Sequence, residues 1–167
     1  MTKEKNIFDE EEIMFLDKVV DINLSLNDVA DERASILAGI GGVLSVLAIG
    51  QLLTSTGLRT LGVITIIVTG LITILLSVGV IRPKALRIRR KNLMYYGGIS
   101  FYSFPEYLEK VKEVVADKEK LLEQYAKEAH DLSTELRVRF KLIRCIGDIL
   151  VAGLACGFIL ILASILL

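Results

Sequence analysis

Three stretches of this chain are apolar for long enough to cross a bilayer. Ala34 to Leu53 and Thr60 to Ile81 carry no charged side chain, and Cys145 to Leu167 carries one, Asp148. At 1.5 Å of rise per residue, about twenty helical residues cover a hydrocarbon core of roughly 30 Å. The first two runs are separated by Thr54-Ser-Thr-Gly-Leu-Arg59, which leaves room for a hairpin and nothing larger.

Outside these runs the pattern changes to helical stripes. Phe15, Val19, Ile22, Leu26 and Val29 recur at 4-3-4-3 spacing, one apolar face of a helix. The same count reaches Arg33, Ile36, Ile40 and Val43, and no strong breaker lies between Glu10 and Leu53. One long helix is predicted, rising from the polar N-terminal stretch through the first span. A second stripe runs through Leu108, Val111, Val115, Leu122, Tyr125, Ala129, Leu132, Leu136 and Ile143, with Lys118 and Arg139 as polar interruptions. Ser103-Phe-Pro-Glu106 has the form of a capping box, with Glu106 reaching back to Ser103. Asp117 is placed to cap a further helix after a break at Ala116-Asp117, and that helix is predicted to run on into the third span. Two such stripes call for packing on each other or on copies of themselves. The stretch from Asn92 to Ser103 is irregular, with Gly97-Gly98 breaking the helix that leaves the second span.

The prediction is therefore an all-α integral membrane protein with three transmembrane helices and a cytoplasmic helical bundle. Its parts are an N-terminal helix (1–33), a transmembrane hairpin (34–81), a cytoplasmic loop with helices (82–144) and a third transmembrane helix (145–167).

Composition agrees with that reading. Hydrophobic residues make up 53% of the 167 and are clustered. Twenty basic and twenty acidic side chains cancel, which speaks against a nucleic-acid binder. Cys145 and Cys156 have no Cys or His partner nearby, so neither a zinc site nor a disulfide framework is implied. The acidic N-terminal stretch lacks the form of a leader, and the first apolar run reads as a retained anchor.

Charge sets the expected orientation. Fifteen of the twenty Lys and Arg residues fall between Arg82 and Arg144, four precede the first span, and the hairpin has Arg59 alone. The positive-inside rule then places the N-terminus and the long loop in the cytoplasm and the C-terminus outside, with the plasma (inner) membrane as the location. There is no Walker loop, no H-E-x-x-H and no G-x-S-x-G, so no catalytic site is expected.

Several motifs resemble one family. Ala30-Asp31-Glu32-Arg33-Ala34 opens the first span and is similar to the Ala-Asp-x-Lys-Ala signature of the transmembrane effectors of pyrimidine cyclase antiphage defence (Pycsar). Asn92-Leu-Met-Tyr-Tyr-Gly97 resembles that family's Asn, aromatic pair and Gly after the second span. Phe104-Pro-Glu-Tyr-Leu108 resembles its next helix start, and Phe140-Lys-Leu-Ile-Arg144 its basic approach to the last span. The resemblance covers roughly residues 28 to 165. Arg33 stands where Lys is usual, and Met94 precedes the aromatic pair. The resemblance implies an effector that senses a cyclic nucleotide, cyclic UMP or CMP, in the cytoplasm and impairs the inner membrane. Its implied partners are the lipid bilayer, the cyclic nucleotide and further copies of itself.

Each candidate site residue has two readings. Asp31 and Arg33 form either a coupling or ligand-binding cluster or a solvated helix collar with Arg33 reaching to the headgroups. Arg87 and Arg90, three apart in the basic run after the second span, either hold an anion or simply fix topology. Asn92, Tyr95, Tyr96 and Ser100 supply stacking faces and hydrogen-bonding groups for a pyrimidine ring, or else pack a turn. Asp148 either pairs with Arg144 one turn earlier near the interface or serves a pore, a gate or Arg33. Gly39, Gly41, Gly42 and Ala38, with Gly153 and Gly157, read as close-packing positions between spans. His130 reads as solvent-facing. The alternative to an effector is a constitutive membrane scaffold that docks a partner through its cytoplasmic helices.

Overall fold

A computed structural model describes residues 2–81, 93, 99 and 101–166, with side chains from Glu11 onward. Its described elements are four helices: α1 (Thr2–Leu52), α2 (Leu58–Ile81), α3 (Phe104–Ala116) and α4 (Lys118–Leu166). α1 is one helix, as the unbroken pattern predicts, because no proline or glycine turn interrupts it before Leu52. Thr54 and Ser55 then turn their hydroxyls back to donate to the carbonyls of Gln51 (3.2 Å) and Leu52 (3.1 Å). These bonds satisfy carbonyls that the ending helix leaves open. Gly57 follows at φ +58°, a left-handed conformation that glycine adopts without steric cost, and α2 begins directly after it.

The chain divides into two compact units, here called polar (Met1–Asn27 and Lys84–Arg137) and apolar (Asp28–Pro83 and Val138–Leu167). Among the described residues three helices are long and apolar enough to cross a membrane. Within the apolar unit they pack through small side chains. One cluster joins Ala30, Ala34, Val80, Ile143 and Ile146, and another joins Ala48, Val63 and Ile66. A band of buried hydroxyls, Ser45, Thr69, Thr73 and Ser77, accompanies them. Three of these hydroxyls donate to the carbonyl one turn back: Ser45 to Gly41, Thr69 to Thr65 and Thr73 to Thr69, all at 2.8–2.9 Å. This keeps a hydroxyl satisfied where water is excluded.

The helices approach so closely that a methyl group has no room at several glycines. A Cβ on Gly41 would lie 2.8 Å from the Gly70 carbonyl oxygen, one on Gly70 would run into Ser45, and one on Gly153 into Thr69. Gly153 and Gly157 are close-packing positions as predicted. Of the three glycines expected to pack on α1, the close-packing position is Gly41. A Cβ on Gly39 meets nothing within 4 Å and one on Gly42 meets only Ile74 at 3.9 Å. Bulky side chains such as Val46, Leu47, Leu75 and Ile159 point outward, the arrangement lipid favours.

In the polar unit α4 packs along the predicted stripe. Ala129, Leu132 and Leu136 are buried, and Leu122 and Tyr125 partly so. α1 presents a different face from the predicted one. Leu16, Val20, Asn23 and Asn27 turn inward, while Phe15 and Ile22 stay 66% and 52% exposed. At about 100° per residue the packed face is rotated roughly a quarter turn from the apolar stripe. A hydrogen bond explains the choice: the amide of Asn23 is buried and donates to the Ser133 hydroxyl at 3.1 Å. A buried amide must be paired, whereas an apolar side chain in water costs less.

α3 starts on the predicted capping box. The Glu106 carboxylate accepts from the Ser103 backbone N–H at 2.9 Å and from its hydroxyl at 2.7 Å. The break falls at Asp117, whose carboxylate accepts from the N–H groups of Glu119 and Lys120 and so caps α4.

Candidate functional site

Two places in the described residues gather polar groups, and a third holds a lone carboxylate. The first lies at the start of the apolar unit. Arg139 is 6% exposed, and its Nη1 donates to the Asp31 carboxylate at 2.8 Å. The Asp31 side chain is 42% exposed. A guanidinium removed from water needs an anionic acceptor, and Asp31 supplies one from the facing helix. Next to it, the Arg33 guanidinium sits 5.8 Å from the centre of the Phe140 ring, a cation–π contact. Asp31 and Arg33 thus both engage α4, one through charge and one through an aromatic face. Together they tie α1 to α4 at the threshold of the spans. Arg139 is the residue sequence reasoning passed over, reading it as an interruption of a stripe. Its signal was there: a cation at a core position, with an anion at the same border on the other long helix.

The second place is a cleft between α3 and the first turns of α4. Tyr107, Val111, Val114, Gln124, Tyr125 and Leu93 line a volume of ≈ 290 Å³, near the lower end for small-molecule sites. A neighbouring volume of ≈ 420 Å³ shares Leu93, Val114 and Gln124 and adds Tyr102, Lys110, Glu113 and Lys120. The Tyr107 hydroxyl donates to the Leu93 carbonyl at 3.3 Å and holds that residue against α3. Gln124 Oε1 is buried and has no hydrogen-bond donor among the described residues. A buried amide oxygen without a donor is an acceptor waiting for an N–H or O–H.

Two cations stand at the wider part. Lys110 lies 5.4 Å from the Tyr102 ring centre, and Lys120 pairs with Glu113 at 2.7 Å. The Lys120 ammonium holds Glu113 below the usual carboxylate range by hydrogen bond and charge, and Glu113 in turn raises Lys120. Both groups are in water, so an incoming anion exchanges with this pair at small cost. Neither Gln124 nor Lys110 stood out in the sequence, because the cleft exists only once α3 folds onto α4.

The third place is Asp148, exposed on α4. It forms no ion pair with Arg144 or with any other residue among those described. His130 is exposed, as expected, and lies 3.7 Å from Asp131. The candidate residues Arg87, Arg90, Asn92, Tyr95, Tyr96 and Ser100 lie outside the described residues.

Comparison with known proteins decides the family. The Pycsar effector protein domain matches residues 15–167. The chain belongs to the Pycsar effector family. No curated protein and no solved structure matches it. Membership makes the three long apolar helices those of a membrane protein and makes the chain an effector of antiphage defence. The family match spans both units, so the cleft, the Asp31–Arg139 pair and all three spans belong to one Pycsar effector domain.

Proposed function

We propose that this Pycsar effector binds a cyclic pyrimidine nucleotide, cyclic UMP or CMP, in its polar unit and then impairs the membrane that holds its apolar unit. The supporting observation is α4 itself. It is a single helix from Lys118 to Leu166, with Leu121, Gln124 and Tyr125 lining the cleft and its last turns forming a span. A ligand that prefers one arrangement of α3 against α4 biases a helix that continues into lipid.

Gln124 Oε1 is suited to accept an N–H from the base, and Tyr107 and Tyr125 offer faces on which a base can stack. Lys110 and Lys120 offer charge to the phosphate. Arg87, Arg90, Asn92, Tyr95, Tyr96 and Ser100 belong to the stretch of chain around Leu93 and are proposed to complete the phosphate and base contacts. In this reading the polar unit faces the cytoplasm, the C-terminus is outside, and the membrane is the cell's inner membrane. Three helices enclose no wide pore, so several copies make the lesion.

The test is performed in bacteria carrying the chain and an inducible pyrimidine cyclase. Cyclase induction is expected to stop growth and admit a membrane-impermeant DNA dye, with Gln124→Leu and Lys110→Glu each blunting the response. Unchanged growth and dye exclusion at verified cyclic UMP and CMP accumulation would refute the proposal. It would leave the scaffold reading in its place.

A further inference from the structure

The stripe that α1 keeps outward forms a strict heptad series. Taking Phe15 as a d position, the d residues are Phe15, Ile22, Val29, Ile36 and Val43, and the a residues are Val19, Leu26, Arg33, Ile40 and Leu47. None of these ten positions is buried in the single chain. From Ile36 to Leu47 that exposure needs no explanation, since those residues lie in the span and meet lipid. Phe15, Ile22 and Leu26 precede the span, and they stand 66%, 52% and 39% exposed where water would cover them. This apolar row, at the spacing two helices use to interlock, stays mostly uncovered by the described residues of its own chain.

We propose that this row is the contact between α1 helices of two copies of the chain, paired in parallel. Two observations select a second copy as the occupant. First, α1 is one helix from Thr2 to Leu52 and its later part is a membrane span. Every copy in one membrane therefore carries the row in the same direction and at the same depth, which is what a parallel in-register pair requires. Second, the row carries its own charge complement. Its single charged a position is Arg33, and the g position immediately before it is Glu32, both exposed. In a parallel pair the g residue of one helix flanks the following a residue of the other. Glu32 of each copy then faces Arg33 of its mate, and only the in-register pairing satisfies both. A polar residue at one a position fixes register in this way at some expense of stability. The proposal stands on exposure and spacing, and holds whether or not a cyclic nucleotide is the signal.

The test uses the full-length chain in native membranes. Both native cysteines, Cys145 and Cys156, are exposed and are first replaced by alanine. Single cysteines are then introduced as Ile22→Cys, Leu26→Cys and Leu24→Cys, and the membranes are oxidised. Leu24 is 47% exposed, much as Ile22 is, but lies on the opposite side of the helix from the row. Disulfide-linked adducts at twice the 18.5 kDa chain mass are expected for I22C and L26C and are not expected for L24C. Absence of an adduct at both row positions, equal linking at Leu24, or an adduct of another mass would overturn the proposal. As a second measurement on chains that keep their cysteines, light scattering in detergent should give a multiple of the single-chain mass for wild type. F15E and I22E should return it to one chain, since both side chains are mostly exposed within the chain; a wild type already at one chain would also overturn the proposal.

Discussion

The two long helices make an instructive pair. α1 has 51 residues and α4 has 49, and each carries an apolar stripe that is plain in the sequence. On α4 the stripe is the packed face. On α1 it is not: the packed face is Asn23, Asn27, Ala30 and Ala34, and the stripe looks outward. The difference shows which requirement wins when two faces of one helix compete. Asn23 must bond Ser133 and Asp31 must bond Arg139, and both bonds are directed. Apolar burial has no direction and is satisfied by any cover, lipid or another helix included. Packing therefore follows the polar anchors, and the greasy row is left for something outside the chain.

The comparison is broken most readily by alanine substitution on the two stripes. Leu132→Ala on α4, at a position 2% exposed, is expected to cost about 2–5 kcal/mol. Phe15→Ala on α1, compared in an Ile22→Glu background that keeps the chain single in detergent, should leave unfolding nearly unchanged. Thermal unfolding followed by circular dichroism reads both, and equal losses would remove the distinction. Next in size is the glycine pair. Gly153→Ala forces α4 off Thr69 and should cost about 1–3 kcal/mol, whereas Gly39→Ala enters open space and should be neutral by the same measurement.

A smaller effect sharpens the role of the anchors. Asp31→Asn or Arg139→Gln should each cost about 1–2 kcal/mol, short of a fully buried pair because Asp31 is partly in water. The double exchange Asp31→Arg with Arg139→Asp should recover part of the loss. Failure of the exchange to recover anything would mean the two residues act separately. The smallest effect belongs to α3. Hydrogen bonds from the Ser103 hydroxyl and N–H hold Glu106 below the usual carboxylate range. A carboxylate depressed in the folded state adds stability above its unfolded value and loses it as pH falls through the folded value. Protection of the amides in the first turns of α3, taken relative to their intrinsic exchange at each pH, should therefore fall below the usual glutamate range. In Glu106→Gln that protection should already be reduced at neutral pH and should not change further with acid.

Most of the fold was legible. Long apolar runs gave the spans, Ser103 with Glu106 gave the start of α3, and Asp117 gave the break before α4, because each is a local signal. The rotation of α1 was not legible, since it depends on Asn23 finding Ser133 more than a hundred residues away. Gly39, Gly41 and Gly42 were all marked as small packing positions, and only the packed helices tell that Gly41 is the one that meets Gly70. Of the site, Asp31 and Arg33 were visible because charges at the edge of an apolar run are conspicuous. Gln124 looked like any polar residue on a charged helix until α3 covered it.

The central claim is that a signal received by the polar unit reaches the bilayer through helices that belong to both. Purified chain in sealed proteoliposomes under a potassium diffusion potential tests it directly, with cyclic UMP or CMP added to the side that exposes the polar unit. The account predicts collapse of the potential with one of the two nucleotides and none with the linear monophosphate. A potential that holds with either nucleotide, at concentrations where binding to the protein is saturated, would contradict it.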